Sequence, residues 1–166
     1  IEMIRKWAPA LKGKGIKLVP VSELLKEYNV GIEGKEVVVI GKSNIVGLPM
    51  SLIMMKEMAT VTVCHIKTKN IEEHTRRADI LIVGVGKAHL VKKDWVKEGA
   101  VVIDIGINVL KDETRKRGYR LVGDVDYENV KSVASYITPV PGGVGPMTVC
   151  MLIKNTLKSY KNLNGY

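Results

Sequence analysis

Apolar positions change their spacing part-way along the chain. Over residues 2–12 they recur at helical intervals and stop at Gly13 and Gly15, which predicts a short amphipathic helix. A second helix is predicted over residues 22–28, with Ser22 after Pro20 as its N-cap and Asn29 and Gly31 past its end. Short continuous apolar runs follow: VVVI at 37–40, TVTVC at 60–64, ILIV at 80–83 and VVID at 101–104. They are β-branched and apolar on both alternations, as parallel strands covered on two faces are. Helices are predicted between them at 48–58, 70–77 and 92–98, then a weaker strand at 135–138 and a last helix at 147–160. Parallel strands need crossovers and helices supply them. The alternation therefore predicts an α/β protein with a doubly wound, mostly parallel sheet and helices on both faces.

Composition agrees with one globular domain: 166 residues, 46% hydrophobic and 26% charged. No apolar run approaches the roughly 20 residues that span a bilayer, so no membrane partner is expected, and an intracellular, cytoplasmic setting is the default. The first residue is Ile1, as expected of a processed N-terminus or of part of a longer polypeptide. Cys64 and Cys150 fall in different predicted elements without metal-ligand spacing, so two buried thiols are expected rather than a disulfide or a metal site.

The charge needs an explanation, because 26 Lys and Arg stand against 17 Asp and Glu, a net +9. The densest cationic run, at 111–120, is interleaved with acids and reads as an exposed loop or hairpin. With no Phe and only 5% aromatic residues, the chain lacks the stacking platforms of single-strand and flipped-base recognition, which argues against a nucleic-acid partner.

The chemistry gathers at the strand ends. GKSNIVG, from Gly41 to Gly47, links the first strand to a helix; Gly41 permits a tight turn, Gly47 a close approach, and a helix N-terminus suits an anion. The spacing differs from GxGxxG and is not a Walker loop, so this turn alone suits either cofactor phosphates or ordinary turn chemistry. The end of the second strand reads CHIKTKN. An NAD site commonly has an acid there, whereas here stand His65, Lys67 and Lys69, with Lys42 in the first turn, a set that favours a 2′-phosphate and hence NADP. Turns at 84–86 and 105–108 follow the third and fourth strands. TPVPGGVGPMT at 138–148 packs three prolines and three glycines into a rigid loop before the last helix.

Together GKSNIVGLPMSL, ATVTVCHIKTKN, ADILIVGVGKAHLV, GAVVIDIGIN, LVGDVDYENV and ITPVPGGVGPMTVCMLIKNTL resemble, in order and from about residue 23 to 160, the C-terminal cofactor domain of the bifunctional methylenetetrahydrofolate dehydrogenase/methenyltetrahydrofolate cyclohydrolase family. The resemblance implies a Rossmann-like NAD(P)-binding domain over 21–166, with 1–20 as an N-terminal extension or linker remnant and the N-terminal catalytic domain absent. It implies oxidation of 5,10-methylenetetrahydrofolate and hydrolysis of the methenyl product to 10-formyltetrahydrofolate, with NADP, or else NAD, as cofactor, a folate substrate and a homodimer. Gly41, Lys42 and Ser43 then lie at the cofactor phosphates, with Ile66 and Lys67 at the 2′ position. Gly86, Ile107 and Thr148 lie near the nicotinamide half, and Pro141, Gly142 and Gly143 where cofactor and folate meet.

Two substitutions bear on the cofactor. Lys42 stands where the family usually has Arg, keeping the charge without the bidentate fork. Ile66 stands where NADP-using members commonly have Ser. The family's catalytic Tyr-x-x-x-Lys belongs to the N-terminal domain, so no catalytic residue is expected in this chain. Tyr127 and Lys131 repeat that spacing within a helix the family has anyway. Asp104, Asp124 and Asp126 read as strand-end and cap residues rather than metal ligands. A non-catalytic dinucleotide-binding module and a basic nucleic-acid-binding domain are the alternative readings.

Overall fold

A computed structural model describes residues 20–165. The helix predicted at 2–12, and nearly all of the 1–20 extension, lie outside the described residues. The elements are α1 (Pro20–Glu27), β1 (Glu36–Ile40), α2 (Gly47–Lys56), β2 (Thr60–Cys64), α3 (Ile71–Thr75), β3 (Ile80–Val83), a 3₁₀ turn (Lys93–Trp95), β4 (Val101–Asp104), β5 (Asn108–Lys111), β6 (Tyr119–Val122), α4 (Tyr127–Val130), β7 (Tyr136–Ile137) and α5 (Val144–Asn164).

Five strands form a parallel sheet in the order β2-β1-β3-β4-β7, and β5 and β6 form a separate antiparallel hairpin. Val37 pairs with Val61 on one side and Ile80 on the other, and Ile80 with Val101, which brings the carboxyl ends of all the central strands to one edge. Alternate side chains serve two cores. Val37, Val39, Ile80, Ile82 and Ile103 pack with Val21 and Leu25 of α1, Met50 and Met54 of α2 and Val144 of α5. Val38, Ile40, Leu81, Val83 and Val102 face the other way, toward Val91, Val96, Val125 and Val130. The sheet is doubly wound, as its uninterrupted apolar strands require.

The cationic run at 111–120 is the β5–β6 hairpin, turned by Asp112, whose carboxylate accepts the Thr114 N–H at 3.1 Å and lies 3.9 and 3.8 Å from the Nε atoms of Arg115 and Arg120. Three expectations change. The helix predicted at 92–98 is a single 3₁₀ turn, because Val91 is bridged to Val125 and held extended. The strand at 135–138 shortens to two residues, since Pro139 has no N–H with which to continue a ladder. Cys64 is buried, but Cys150 is exposed on α5.

Both long helices keep apolar residues in solvent. On α5, Val149, Leu152, Ile153, Leu157 and Tyr160 are exposed at helical spacing, and on α2 so are Leu48, Leu52 and Met55. No helix among the described residues is long and apolar enough to cross a membrane.

Candidate functional site

The first turn is built on two glycines. Gly41 has φ +117°, and a Cβ there would strike the Gly84 carbonyl oxygen; a Cβ on Gly47 would overlap the Gly41 carbonyl oxygen. The turns after β1 and β3 and the start of α2 can approach so closely only without side chains.

Helix α2 departs from the expectation of free N-terminal donors. Ser43 Oγ accepts the N–H of Val46 at 3.1 Å and of Gly47 at 3.5 Å, and the Ser43 carbonyl accepts that of Leu48 at 3.0 Å. Pro49 has no N–H, and Met50 donates to the Val46 carbonyl at 3.0 Å. Ser43 thus caps the helix, and the open donors move into the loop. Among the described residues the N–H groups of Lys42, Ser43, Asn44 and Ile45 have no protein acceptor, and all four residues are exposed. With the Ser43 hydroxyl proton, the Lys42 ammonium and the positive end of α2, they can hold an anion such as a pyrophosphate.

The end of β2 is a closed turn. The His65 N–H donates to Thr68 Oγ1 at 2.9 Å, the Lys67 N–H to His65 Nδ1 at 3.2 Å, and the Thr68 N–H to the His65 carbonyl at 2.8 Å. This lock leaves Ile66 95% exposed, with Lys67 and Lys69 also in solvent. No carboxylate stands in this turn to repel a phosphate.

Behind the turns after β3 and β4 lie two buried carboxylates, Asp104 and Asp124. Asp104 accepts the N–H groups of Gly106 at 2.9 Å, Asp124 at 3.1 Å and Val125 at 2.8 Å. Burial pushes its carboxyl up to about 6, against the opposing pull of those three donors and with some help from the charge of Asp124. Asp124 accepts Val85 N–H at 2.6 Å, Gly86 N–H and Lys87 N–H at 2.9 Å each, and Asn108 Nδ2 at 2.8 Å. Gly86 and Ile107 both follow this support on the exposed side, Ile107 64% exposed.

The loop after β7 holds Pro141, Gly142 and Gly143, with a cis Val140–Pro141 bond. A Cβ on Gly143 would come within 2.6 Å of the Pro139 carbonyl oxygen. Pro139, Gly142 and Gly143 also border a largely apolar cavity of about 400 Å³ between α1 and α5. Thr148 sits one turn into α5, its hydroxyl donating to the Val144 carbonyl at 3.1 Å.

The structure therefore places Gly41, Lys42, Ser43, Ile66, Lys67, Gly86 and Ile107 along one edge of the sheet, at the carboxyl ends of four adjacent strands, with the 141–143 loop beyond β7 on the same edge. The family model described as tetrahydrofolate dehydrogenase/cyclohydrolase, NAD(P)-binding domain, matches residues 18–164. The chain belongs to the NAD(P)-binding domain family of tetrahydrofolate dehydrogenase/cyclohydrolase.

Relatives agree. The chain is 52% identical over 162 residues to the bifunctional protein FolD 4, chloroplastic, of Arabidopsis thaliana, covering 95% of this chain and 45% of that protein. It is 57% identical to the cytoplasmic C-1-tetrahydrofolate synthase of Schizosaccharomyces pombe over 82% of this chain and 14% of that one. Among solved structures, the Trypanosoma brucei methylenetetrahydrofolate dehydrogenase-cyclohydrolase, complexed with NADP and an inhibitor, superposes with a TM-score of 0.82 at 48% identity, over 86% of this chain and 49% of that one. The chain thus spans about half the length of the FolD proteins it matches.

Within this NAD(P)-binding domain, Tyr127 opens α4 and Lys131 follows its last residue, where Lys131 is ion-paired with Glu128 and its Nζ lies 5.9 Å from the Tyr127 ring centroid. The side-chain contacts of Lys131 are with Glu128 and Tyr127, not with any of the strand-end turns. Asp126 is the residue before α4, accepting from Asn129 at 2.9 Å. Asp104 and Asp124 do more than end strands: they hold two turns in place. The sequence signal for them was an acid inside an apolar run with glycine alongside, as in VVIDIG and GDV. Among the described residues no three metal-ligating side chains gather.

Proposed function

We propose that residues 21–166 are the cofactor-holding part of a methylenetetrahydrofolate dehydrogenase/methenyltetrahydrofolate cyclohydrolase. The observation that carries this reading is the cradle between Gly41 and Gly47, where bare backbone, four open N–H groups and Lys42 converge at the end of the first parallel strand. NADP fits better than NAD, because Lys42, Lys67 and Lys69 offer positive charge and the β2 turn has no carboxylate to pair with a free ribose hydroxyl. A bound nicotinamide dinucleotide would supply the acceptor for a hydride from the methylene carbon of 5,10-methylenetetrahydrofolate, whose methenyl product water would hydrolyse to 10-formyltetrahydrofolate.

The chain's own residues bind and orient. Gly41, Lys42 and Ser43 hold the phosphates, Ile66 and Lys67 face the 2′ position, and Gly86, Ile107 and Thr148 flank the nicotinamide half. Pro141, Gly142 and Gly143 stand where the folate approaches. Acid–base groups come from the other half of the enzyme. The exposed apolar stripe of α5 supports docking of that half, and the stripe of α2 supports a homodimer. We place the protein in the cytoplasm, the compartment in the name of the fission-yeast relative; fractionation of the source cells tests this against the chloroplast of the plant relative.

Calorimetric titration with NADP, NAD and a duplex oligonucleotide, followed by an assay of folate oxidation, tests the proposal. NADP binding is expected, tighter than NAD. Oligonucleotide binding without cofactor binding would overturn it. Cofactor binding without turnover, even after the other half is supplied, would instead favour a non-catalytic dinucleotide module.

A further inference from the structure

The turn after β3 spends its donors inward. Successive N–H groups of Val85, Gly86 and Lys87 converge on one point, a geometry that elsewhere captures phosphate or other anions. Here the anion is the protein's own Asp124, fully buried, each of whose oxygens accepts two bonds: Oδ2 from Val85 and Gly86, Oδ1 from Lys87 and the Asn108 amide. Glycine at 106 is required for this, since a Cβ there would fall on the Asp124 carboxyl group. The carboxylate is supported from behind in turn, because Asp104 Oδ1 and Oδ2 accept the N–H groups of Asp124 and Val125.

The consequence concerns the groove. A dinucleotide whose pyrophosphate lies at the 41–47 turn and whose adenosine ribose lies at the end of β2 must continue across β3 and β4, given the strand order β2-β1-β3-β4. Its phosphate-free nicotinamide end then meets the turns at 84–87 and 105–108. With the N–H groups of 85–87 taken by Asp124 and that of Gly84 by the Ile40 carbonyl, the backbone of the 84–87 turn offers no anion-binding donors there. The turn offers an exposed Val85 instead, and the next turn an exposed Ile107.

We propose that Asp124 is a positioning residue: by gathering the N–H groups of Val85, Gly86 and Lys87 and the Asn108 amide on one buried carboxylate, it shapes the turn after β3 into the seat of the nicotinamide end of the cofactor. The inference rests on the dinucleotide reading above.

Two ligands separate positioning from general stability in the 166-residue chain: NADP, and 2′-phospho-ADP-ribose, which lacks only the nicotinamide ring. Wild type binds NADP more tightly than the truncated ligand. In Asp124→Asn an NH₂ group must face two of the four donors, and the turn reorganises. NADP affinity is expected to fall about tenfold while 2′-phospho-ADP-ribose affinity stays within about twofold, because the displaced turn meets only the nicotinamide end.

Equal losses for both ligands, or no loss for either, would overturn the proposal. Equal affinity of wild type for the two ligands would overturn it while leaving the dinucleotide reading intact, whereas binding of neither would sink both. Should Asp124→Asn fail to fold by circular dichroism, Asn108→Ala takes its place, removing the fourth donor from a half-buried side chain. About threefold selective weakening of NADP is then expected, and an unchanged ratio of the two affinities overturns the proposal.

Discussion

The hydroxyl of Thr138 accepts the backbone N–H of Asp104 at 2.8 Å. Both residues are buried, and the bond stands where the β4–β7 ladder would otherwise end at Ile137. It ties the start of the proline- and glycine-rich loop to the strand whose terminal carboxylate orders Gly106, Asp124 and Val125. The loop after β7 and the turns after β3 and β4 are therefore one hydrogen-bonded unit.

Thr138→Val keeps the shape of the side chain and leaves the Asp104 N–H without its acceptor. A buried unsatisfied donor costs about 1–3 kcal/mol. Urea denaturation of the variant should show a loss of that size, and Thr138→Ser, which restores the oxygen, should recover most of it. A loss in the Ser variant with none in the Val variant would show that the methyl packing, not the bond, matters.

Asp104 makes stability depend on pH in a defined direction. Its carboxyl is raised from 3.8 to about 6 by burial, so between those values the folded state keeps a proton that the unfolded state has lost. The contribution of this group therefore falls as pH rises through the window, by about 3 kcal/mol in all. The lowered carboxyl of Asp79, whose hydrogen bond from Lys97 is its main cause, acts the other way at lower pH. Comparing wild type with Asp104→Asn isolates the effect: the stability advantage of wild type should shrink steadily from pH 4 to pH 7. A constant difference across that range would contradict the burial account.

Strands β2, β3 and β4 were legible to the residue because a parallel strand buried on both faces leaves a continuous β-branched run. The start of α5 was less so. Gly145 and Pro146 read as punctuation, yet the helix begins at Val144, since a proline in the first turn gives up an N–H that would be unpaired anyway. The first turn was legible in its glycines but not in its donors, because the capping by Ser43 depends on backbone geometry. Asp104 and Asp124 were harder still. Their partners come from turns as far as 39 residues away in the chain, and no local spacing reports which N–H groups the fold will deliver to a buried acid.

Gly47→Ala tests the close approach at the first turn. The added methyl would overlap the Gly41 carbonyl oxygen, a backbone atom that cannot swing aside. The overpacking should cost about 1–3 kcal/mol, visible in thermal denaturation. NADP affinity should fall more than stability explains, because the start of α2 and the open N–H groups of 42–45 move with it. Gly31→Ala is the control, since a Cβ there meets nothing within 4 Å, and it should leave cofactor binding unchanged.

On the proposed reading, Lys67 decides the cofactor preference. It is held at the end of β2 by its own N–H bond to His65 Nδ1, so the backbone that carries it is ordered even though the side chain is exposed. A 2′-phosphate at this turn gains a charge-assisted partner from Lys67, and NAD, which lacks the phosphate, gains nothing from it. Lys67→Ala should therefore weaken NADP by about tenfold, or ~1.4 kcal/mol, and leave NAD within about twofold. Lys42, in the first turn, offers its charge on the proposed reading both to the 2′-phosphate and to the pyrophosphate that the two cofactors share, so Lys42→Ala should weaken both, NADP the more. Raising the salt concentration should reproduce the first pattern in wild type, eroding the NADP affinity faster than the NAD affinity, because the extra phosphate is the charge being screened. Parallel titrations of both cofactors at two ionic strengths measure all of this. Equal losses of NADP and NAD in Lys67→Ala would remove the end of β2 from the 2′-phosphate site.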